Sequence, residues 1–95
     1  MAQAEANALA RAVEAFLADV RARGRLAESS QQAYRRDLKR LADWCSRRGY
    51  RDPSDLDAAA LRAFTASLGR AGLDPRSIQR HLSAIRKFCR WLVEQ

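Results

Sequence analysis

At 95 residues the chain has room for one small domain, and a hydrophobic content of 47% is enough for a modest core. Its apolar stretches are only a few residues long, and the N-terminus lacks a basic segment followed by an apolar run, so neither a membrane span nor a secretion signal is expected and a cytoplasmic location is. Lys and Arg number 18 against 11 Asp and Glu, a formal net charge of +7, and 16 of the 18 are Arg, the side chain best suited to bidentate contact with phosphate or guanine.

Strand signals are nearly absent: β-branched residues are few and no period-2 run stands out, whereas four segments carry helical periodicity. The first helix is predicted from about Ala4 to Arg23, with Leu9, Val13, Phe16, Leu17 and Val20 on one face, Gly24 as its stop, and Arg21, Arg23 and Arg25 where the helix dipole favours cations. The second starts at Ser29 or Ser30, either of which is a capping residue. Tyr34, Leu38, Leu41 and Cys45 form its apolar stripe, Trp44 stands beside them, and Gly49 ends it. A turn through Asp52-Pro53-Ser54 leads to a third helix capped by Asp57, with Leu56 and Leu61 as a hydrophobic staple and Leu61, Phe64 and Leu68 as the buried face. Gly69 or Gly72 stops it. The fourth opens on Asp74-Pro75, a cap followed by proline at the first helical position, and runs to about Val93. Ile78, Leu82, Ile85, Cys89 and Leu92 make its stripe, widened by Phe88. Short connections force neighbouring helices to pack, so the expected fold is all-α, a compact bundle of four helices in a single domain over residues 1–95.

Opposite the stripe of the fourth helix lie Arg76, Arg80, Ser83, Lys87 and Arg90, with no acidic residue from Arg76 to Arg90. This reads as an unpaired basic ridge, with small Ser83 and Ala84 in its middle allowing close approach. A helix of this kind fits the major groove of double-stranded DNA. The second helix carries a weaker version: Gln32, Arg35, Arg36, Lys39 and Asp43 oppose its stripe, Arg40 and Arg47 flank it, and Asp37 and Asp43 offset part of the charge. Its first turn, Ser29-Ser30-Gln31-Gln32, offers donors beside free backbone N–H groups and reads as a phosphate site. Arg86, about 80° from the stripe centre, reads as a structural residue bonding helix ends across the bundle. A charged face is commonly a solvated one, but this one lacks the i, i+4 acidic partners typical of such faces. Membrane binding is not expected, because the apolar side is needed for the core.

Nothing in the chain assembles a catalytic group. His81 has no co-ligands at metal spacing and reads as a packing or boundary histidine; Cys45 and Cys89 fall on apolar stripes and read as free thiols, although a disulfide between them stays open. Tyr34 reads as a core residue with a tethered hydroxyl, Tyr50 as a cap over the core edge, and Trp44 and Trp91 as core-edge residues, with a partner contact open for Trp91. There is no Gly-rich phosphate loop, and no cofactor or metal is expected.

Two segments carry a family resemblance. Ser29 to Leu41, S-S-Q-Q-A-Y-R-R-D-L-K-R-L, resembles the S-x-x-T-x-x-x-Y-x-x-D-L region of tyrosine recombinases, with Gln31 or Gln32 where the family often has Thr. Asp74 to Leu92, D-P-R-S-I-Q-R-H-L-S-A-I-R-K-F-C-R-W-L, resembles their S-I-x-R-x-L-S-A-[IL]-R-x-F-[YC]-x-[FWY]-L segment more closely. The whole chain is similar to the N-terminal, SAM-like core-binding domain of Xer-type recombinases and phage integrases. The resemblance implies a four-helix orthogonal bundle that forms one arm of a clamp on DNA, serving recombination and integration. It implies that the second and fourth helices face DNA and that such domains contact other recombinase subunits, with the first helix the candidate here. It also implies that the Arg, Lys, His and Tyr of catalysis belong to a separate C-terminal domain, absent from this chain, so the segment itself is not expected to be an enzyme. The site residues expected from charge and resemblance together are Arg76, Arg80, Ser83, Lys87 and Arg90, with Gln32, Arg35, Arg36 and Lys39 as a second line. A helix-turn-helix repressor, with Gly72-Leu73-Asp74 as its turn, and a protein-interaction module remain alternatives.

Overall fold

The computed structural model describes residues 7–95. Four helices, α1 (Ala8–Arg23), α2 (Glu28–Arg48), α3 (Ala58–Arg70) and α4 (Pro75–Val93), are joined by short loops, with one turn of 3-10 helix over Pro53–Asp55 between α2 and α3. No strand occurs among the described residues, and the fold is the all-α four-helix bundle that periodicity predicts. The expected helix start at Ala4 lies outside the described residues. From Asn7 onward, the Asn7 side chain caps α1 by accepting from the Ala10 N–H at 3.0 Å, and the Leu9 N–H donates to the Arg51 carbonyl at 2.9 Å. The loop after α2 thus satisfies a donor that the first turn of α1 leaves free.

Neither Ser29 nor Ser30 caps α2. The helix begins one residue earlier, at Glu28, after Ala27, which makes no side-chain capping bond. Glu28 sets a carboxylate against the positive end of the helix dipole, and the Gln31 side chain donates to the Leu26 carbonyl at 2.9 Å, fixing the incoming chain. At the other end Gly49 has φ 79°, and the Tyr50 N–H reaches back to the Cys45 carbonyl at 2.9 Å, a closure that a residue with a Cβ enters only with strain. The expected cap at Asp57 is present, accepting from the Ala60 N–H at 2.8 Å, and Leu56 and Leu61 both pack on the core as a staple requires. Of the two candidate stops for α3 the chain uses Gly72, at φ 90°, with the Leu73 N–H bonded to the Leu68 carbonyl. Asp74 caps α4 through the Ser77 N–H at 2.8 Å, with Pro75 at the first helical position.

Helix α4 packs against each of the other three. Phe16 of α1 is the hub on one side: its ring lies 5.6 Å from Phe88, 5.6 Å from Trp91 and 6.4 Å from Tyr34. On the other side Trp44 of α2 meets Phe64 of α3 at 5.4 Å and Tyr50 at 5.8 Å. Trp91 sits at the core edge, as expected, its indole N–H donating to Asp19 at 2.9 Å, whereas Trp44 is buried within the core rather than at its edge. Tyr34 is half-buried against Phe16 rather than central, and both cysteines are free thiols.

The inward face of α4 differs from the stripe expected of it. Its most buried residues are His81, Ala84, Ile85 and Phe88, while Ile78, Leu82, Cys89 and Leu92 are only half-buried. The core-facing direction is therefore turned by about 70° from the stripe of large aliphatics. Small Ala84 suits a helix that meets three others, and His81 is held on the same side by its hydrogen bond with the Ser77 carbonyl.

Candidate nucleic-acid interface

The turn of α4 decides which side chains it offers to solvent. Arg76, Gln79, Arg86, Lys87 and Arg90 are exposed, with half-buried Ser83 among them. At 1.5 Å per residue, Arg76 and Arg90 lie about 21 Å apart along the helix. Arg76, Arg86 and Arg90 have no carboxylate partner among the described residues. Arg86 is thus not the cross-bundle structural residue expected; the rotation carries it to the middle of the exposed face. Lys87 stands over the Tyr34 ring, 6.0 Å from its centroid, at the edge of that face.

Arg80 departs most from expectation. It is not unpaired: its Nε donates to Asp37 Oδ2 and its Nη2 to Asp37 Oδ1, both at 3.1 Å. Asp37 is 2% exposed. Its hydrogen bonds and charge hold the Arg80 guanidinium pKa above its ordinary value. The adjacent His81 is also buried, with Nδ1 2.8 Å from the Ser77 carbonyl and Nε2 3.4 Å from Asp37 Oδ1. Since a carbonyl only accepts, Nδ1 carries a proton. A search for acids along α4 alone misses this pair, because the partner lies 43 residues upstream. The signal was nonetheless present: position 37 falls on the buried side of α2 with Tyr34, Leu38 and Leu41, and an acid there demands a cation.

On α2 the expected second line divides. Arg36 faces α4, where with Arg40, Asp37, Leu73, Ser77, Arg80 and His81 it lines an open cleft of about 330 Å³. Gln32 and Arg35 lie on the other side, in a groove shared with Leu17, Val20 and Arg21 of α1. Arg35 approaches Glu14 at 3.6 Å, and Lys39 borders the α1 flank beside Glu14 while also reaching the outer ridge with Arg36, Arg40 and Arg47. The structure brings together Arg36, Arg40 and Arg80, and it sets Gln32 and Arg35 apart from them. The expected phosphate site at the start of α2 is altered as well, since Glu28 occupies the first turn.

Among the described residues no three His, Cys, Asp or Glu side chains gather to hold a metal ion, and no helix is long and apolar enough to cross a membrane. What the arrangement can do is hold an anionic rod: positive charge runs along α4 and continues onto α2, with small side chains between the cations.

The family model for the phage integrase N-terminal, SAM-like domain matches residues 13–95. A tyrosine recombinase XerC of Xanthomonas campestris pv. campestris (strain B100) is 43% identical over 89 residues, 94% of this chain and 28% of the relative. That of Xylella fastidiosa (strain M23) is 37% identical over 87 residues, 92% of the chain and 30% of the relative. That of Pseudomonas putida (strain KT2440) is 38% identical over 82 residues, 86% of the chain and 27% of the relative. The chain therefore spans less than a third of the length of these relatives. No solved structure matches it.

Proposed function

Because the chain belongs to the phage integrase N-terminal, SAM-like domain family, we propose that it is the DNA-holding arm of a site-specific tyrosine recombinase, gripping double-stranded DNA through α4 and α2 without a covalent step of its own. The observation that carries this reading is the exposed face of α4, where Arg76, Arg86 and Arg90 stand without a carboxylate partner among the described residues. Lys87 extends the face and Ser83 lets a groove edge come close. Arg36, Arg40 and Lys39 continue the charge onto α2, whereas Arg35 and Gln32, in the groove beside α1, would form a separate contact line. Cleavage and rejoining would fall to the part of the recombinase that the relatives carry beyond the matched region. A DNA partner places the arm in the cytoplasm, and contacts with other recombinase subunits fall on the outer flank of α1, where Ala15, Ala18 and Ala22 are exposed.

Phosphate contacts of this kind release counter-ions, so affinity falls steeply with salt. Replacing Arg76 and Arg90 together by Ala is expected to weaken binding to a short duplex and to lower the salt slope by about 2, read by fluorescence anisotropy across a salt series. Equal affinity and equal slope in a folded variant would take α4 out of the interface. Ala18→Arg is expected to leave binding to a single duplex intact while impairing assembly of the full recombinase on paired sites; undisturbed assembly would clear α1 of that role.

A further inference from the structure

We propose, resting on the reading that α2 and α4 meet DNA, that the cleft between them seats one DNA phosphodiester and that buried Asp37 is the positioning residue that holds Arg80 to receive it. A guanidinium presents five N–H groups around a rigid plane, and two of its edges can each take an oxyanion bidentately. Asp37 occupies one edge, through Nε and one proton of Nη2. The second proton of Nη2 and one proton of Nη1 remain as a pair, on the edge turned from Asp37. Exposure agrees with this division: the Arg80 side chain is 50% exposed and that of Asp37 only 2%. The carboxylate forms the floor and the guanidinium spans from the floor to solvent.

Arg36 and Arg40, one turn apart on α2, border the same cleft and have no carboxylate partner among the described residues. Ser77 lines the cleft from α4, with its hydroxyl bonded to the Asp74 carboxylate. Three guanidinium groups from two helices thus face a space in which the one acidic lining residue, Asp37, already has both oxygens engaged by Arg80. A tetrahedral anion with two free oxygens matches the open edge of Arg80. The cleft adjoins the row of cations that begins at Arg76, so the anion it takes is a link in a longer polyanion, a backbone phosphate of the duplex.

The sign of one substitution separates positioning from plain electrostatics. If Asp37 acted only through its charge, Asp37→Asn would tighten DNA binding by removing a repulsive group. If it holds Arg80 in place, the same change weakens binding, because the amide turns N–H donors towards the guanidinium and the open edge loses its aim. Binding of the chain to a short duplex of arbitrary sequence, followed by fluorescence anisotropy over a salt series, reads the difference, with circular dichroism confirming the fold. Asp37→Asn and Arg80→Lys are each expected to weaken binding about tenfold, the scale of one lost charge-assisted bond, although neither lowers the net positive charge. Arg36→Gln with Arg40→Gln is expected to lower the salt slope by about 1, the mark of one shared phosphate. Unchanged or tighter binding by Asp37→Asn overturns the proposal. Should that variant fail to fold, Arg80→Lys decides, because it keeps a cation beside Asp37, and its undiminished affinity overturns the proposal equally. If Arg76→Ala with Arg90→Ala weakens binding while the cleft variants bind like the parent, the cleft is refuted and the DNA-arm reading survives. If all of them bind like the parent, both fall.

Discussion

Asp37 and Arg80 tie stability to the candidate site at the level of single side chains. Arg80→Ala leaves a carboxylate that is 2% exposed with only His81 beside it. A buried charged group that loses its partner costs about 1–3 kcal/mol, and because the Arg80 side chain is half exposed, water can offset part of that. Arg80→Ala is therefore expected to lower the unfolding free energy read from urea curves, while Lys87→Ala, at an exposed position, should leave it within about 0.5 kcal/mol. Equal unfolding free energies would mean that the pair adds nothing to the fold. Cys45 carries a second residue-scale effect. Burial is the main cause that raises its thiol pKa to about 11 from 9.0, with Asp55 adding to the rise. The unfolded thiol ionises first as pH rises, so stability is full below pH 9.0 and falls as pH climbs to about 11. Two units correspond to about 2–3 kcal/mol. Alkaline unfolding curves of Cys45→Ala should be shallower over that window than those of the parent chain; identical curves would assign the loss to other groups.

At the scale of elements, α3 depends on its cap. Asp57→Ala removes the bond to the Ala60 N–H and is expected to cost about 1 kcal/mol, read from chemical denaturation, whereas Asp57→Ser should recover most of it. A loss no different for Ser than for Ala would show that the hydrogen bond is not the cause. The sequence made α3 and the start of α4 legible because Asp57, Asp74, Pro75 and Gly72 act through local backbone geometry, which a linear reading can follow. It made the start of α2 less so: Ser29 and Ser30 look like caps, but the dipole contact of Glu28 and the reach of Gln31 back to Leu26 set the boundary one residue earlier. The facing of α4 escapes a linear reading for a different reason. Ranking positions by hydrophobicity favours Ile78, Leu82 and Leu92, whereas the seam against three helices selects Ala84 for its size and His81 for its hydrogen bonds. The candidate site inherited that error. Its cations are read from charge and resemblance together, Arg86 reads there as a structural residue, and the link between Arg80 and Asp37 joins two helices far apart in sequence. Which of the α2 cations turn towards α4 is a tertiary fact, and only Arg36 and Arg40 do so.

The molecule as a whole is a small bundle with a radius of gyration of 13.0 Å, and α4 packs against the helices that carry both aromatic clusters. Phe88, with no exposed surface, lies at the centre of that arrangement against Phe16. Phe88→Ala is expected to cost about 3–5 kcal/mol. For a domain whose total stability is of order 5–15 kcal/mol, that leaves a chain poised to unfold near ambient temperature. A melting midpoint within a few degrees of the parent would mean that the core recloses around the gap. The bond from the Trp91 indole to Asp19 has an optical consequence. Trp44 is shielded on both sides by rings, whereas Trp91 owes its surroundings to the docking of α1. In a Trp44→Phe chain, the remaining emission should shift to longer wavelength when α1 lifts from α4, before the far-ultraviolet helical signal declines. That single indole would then serve as a built-in gauge of whether α1 is seated, readable while the arm is bound to its partner.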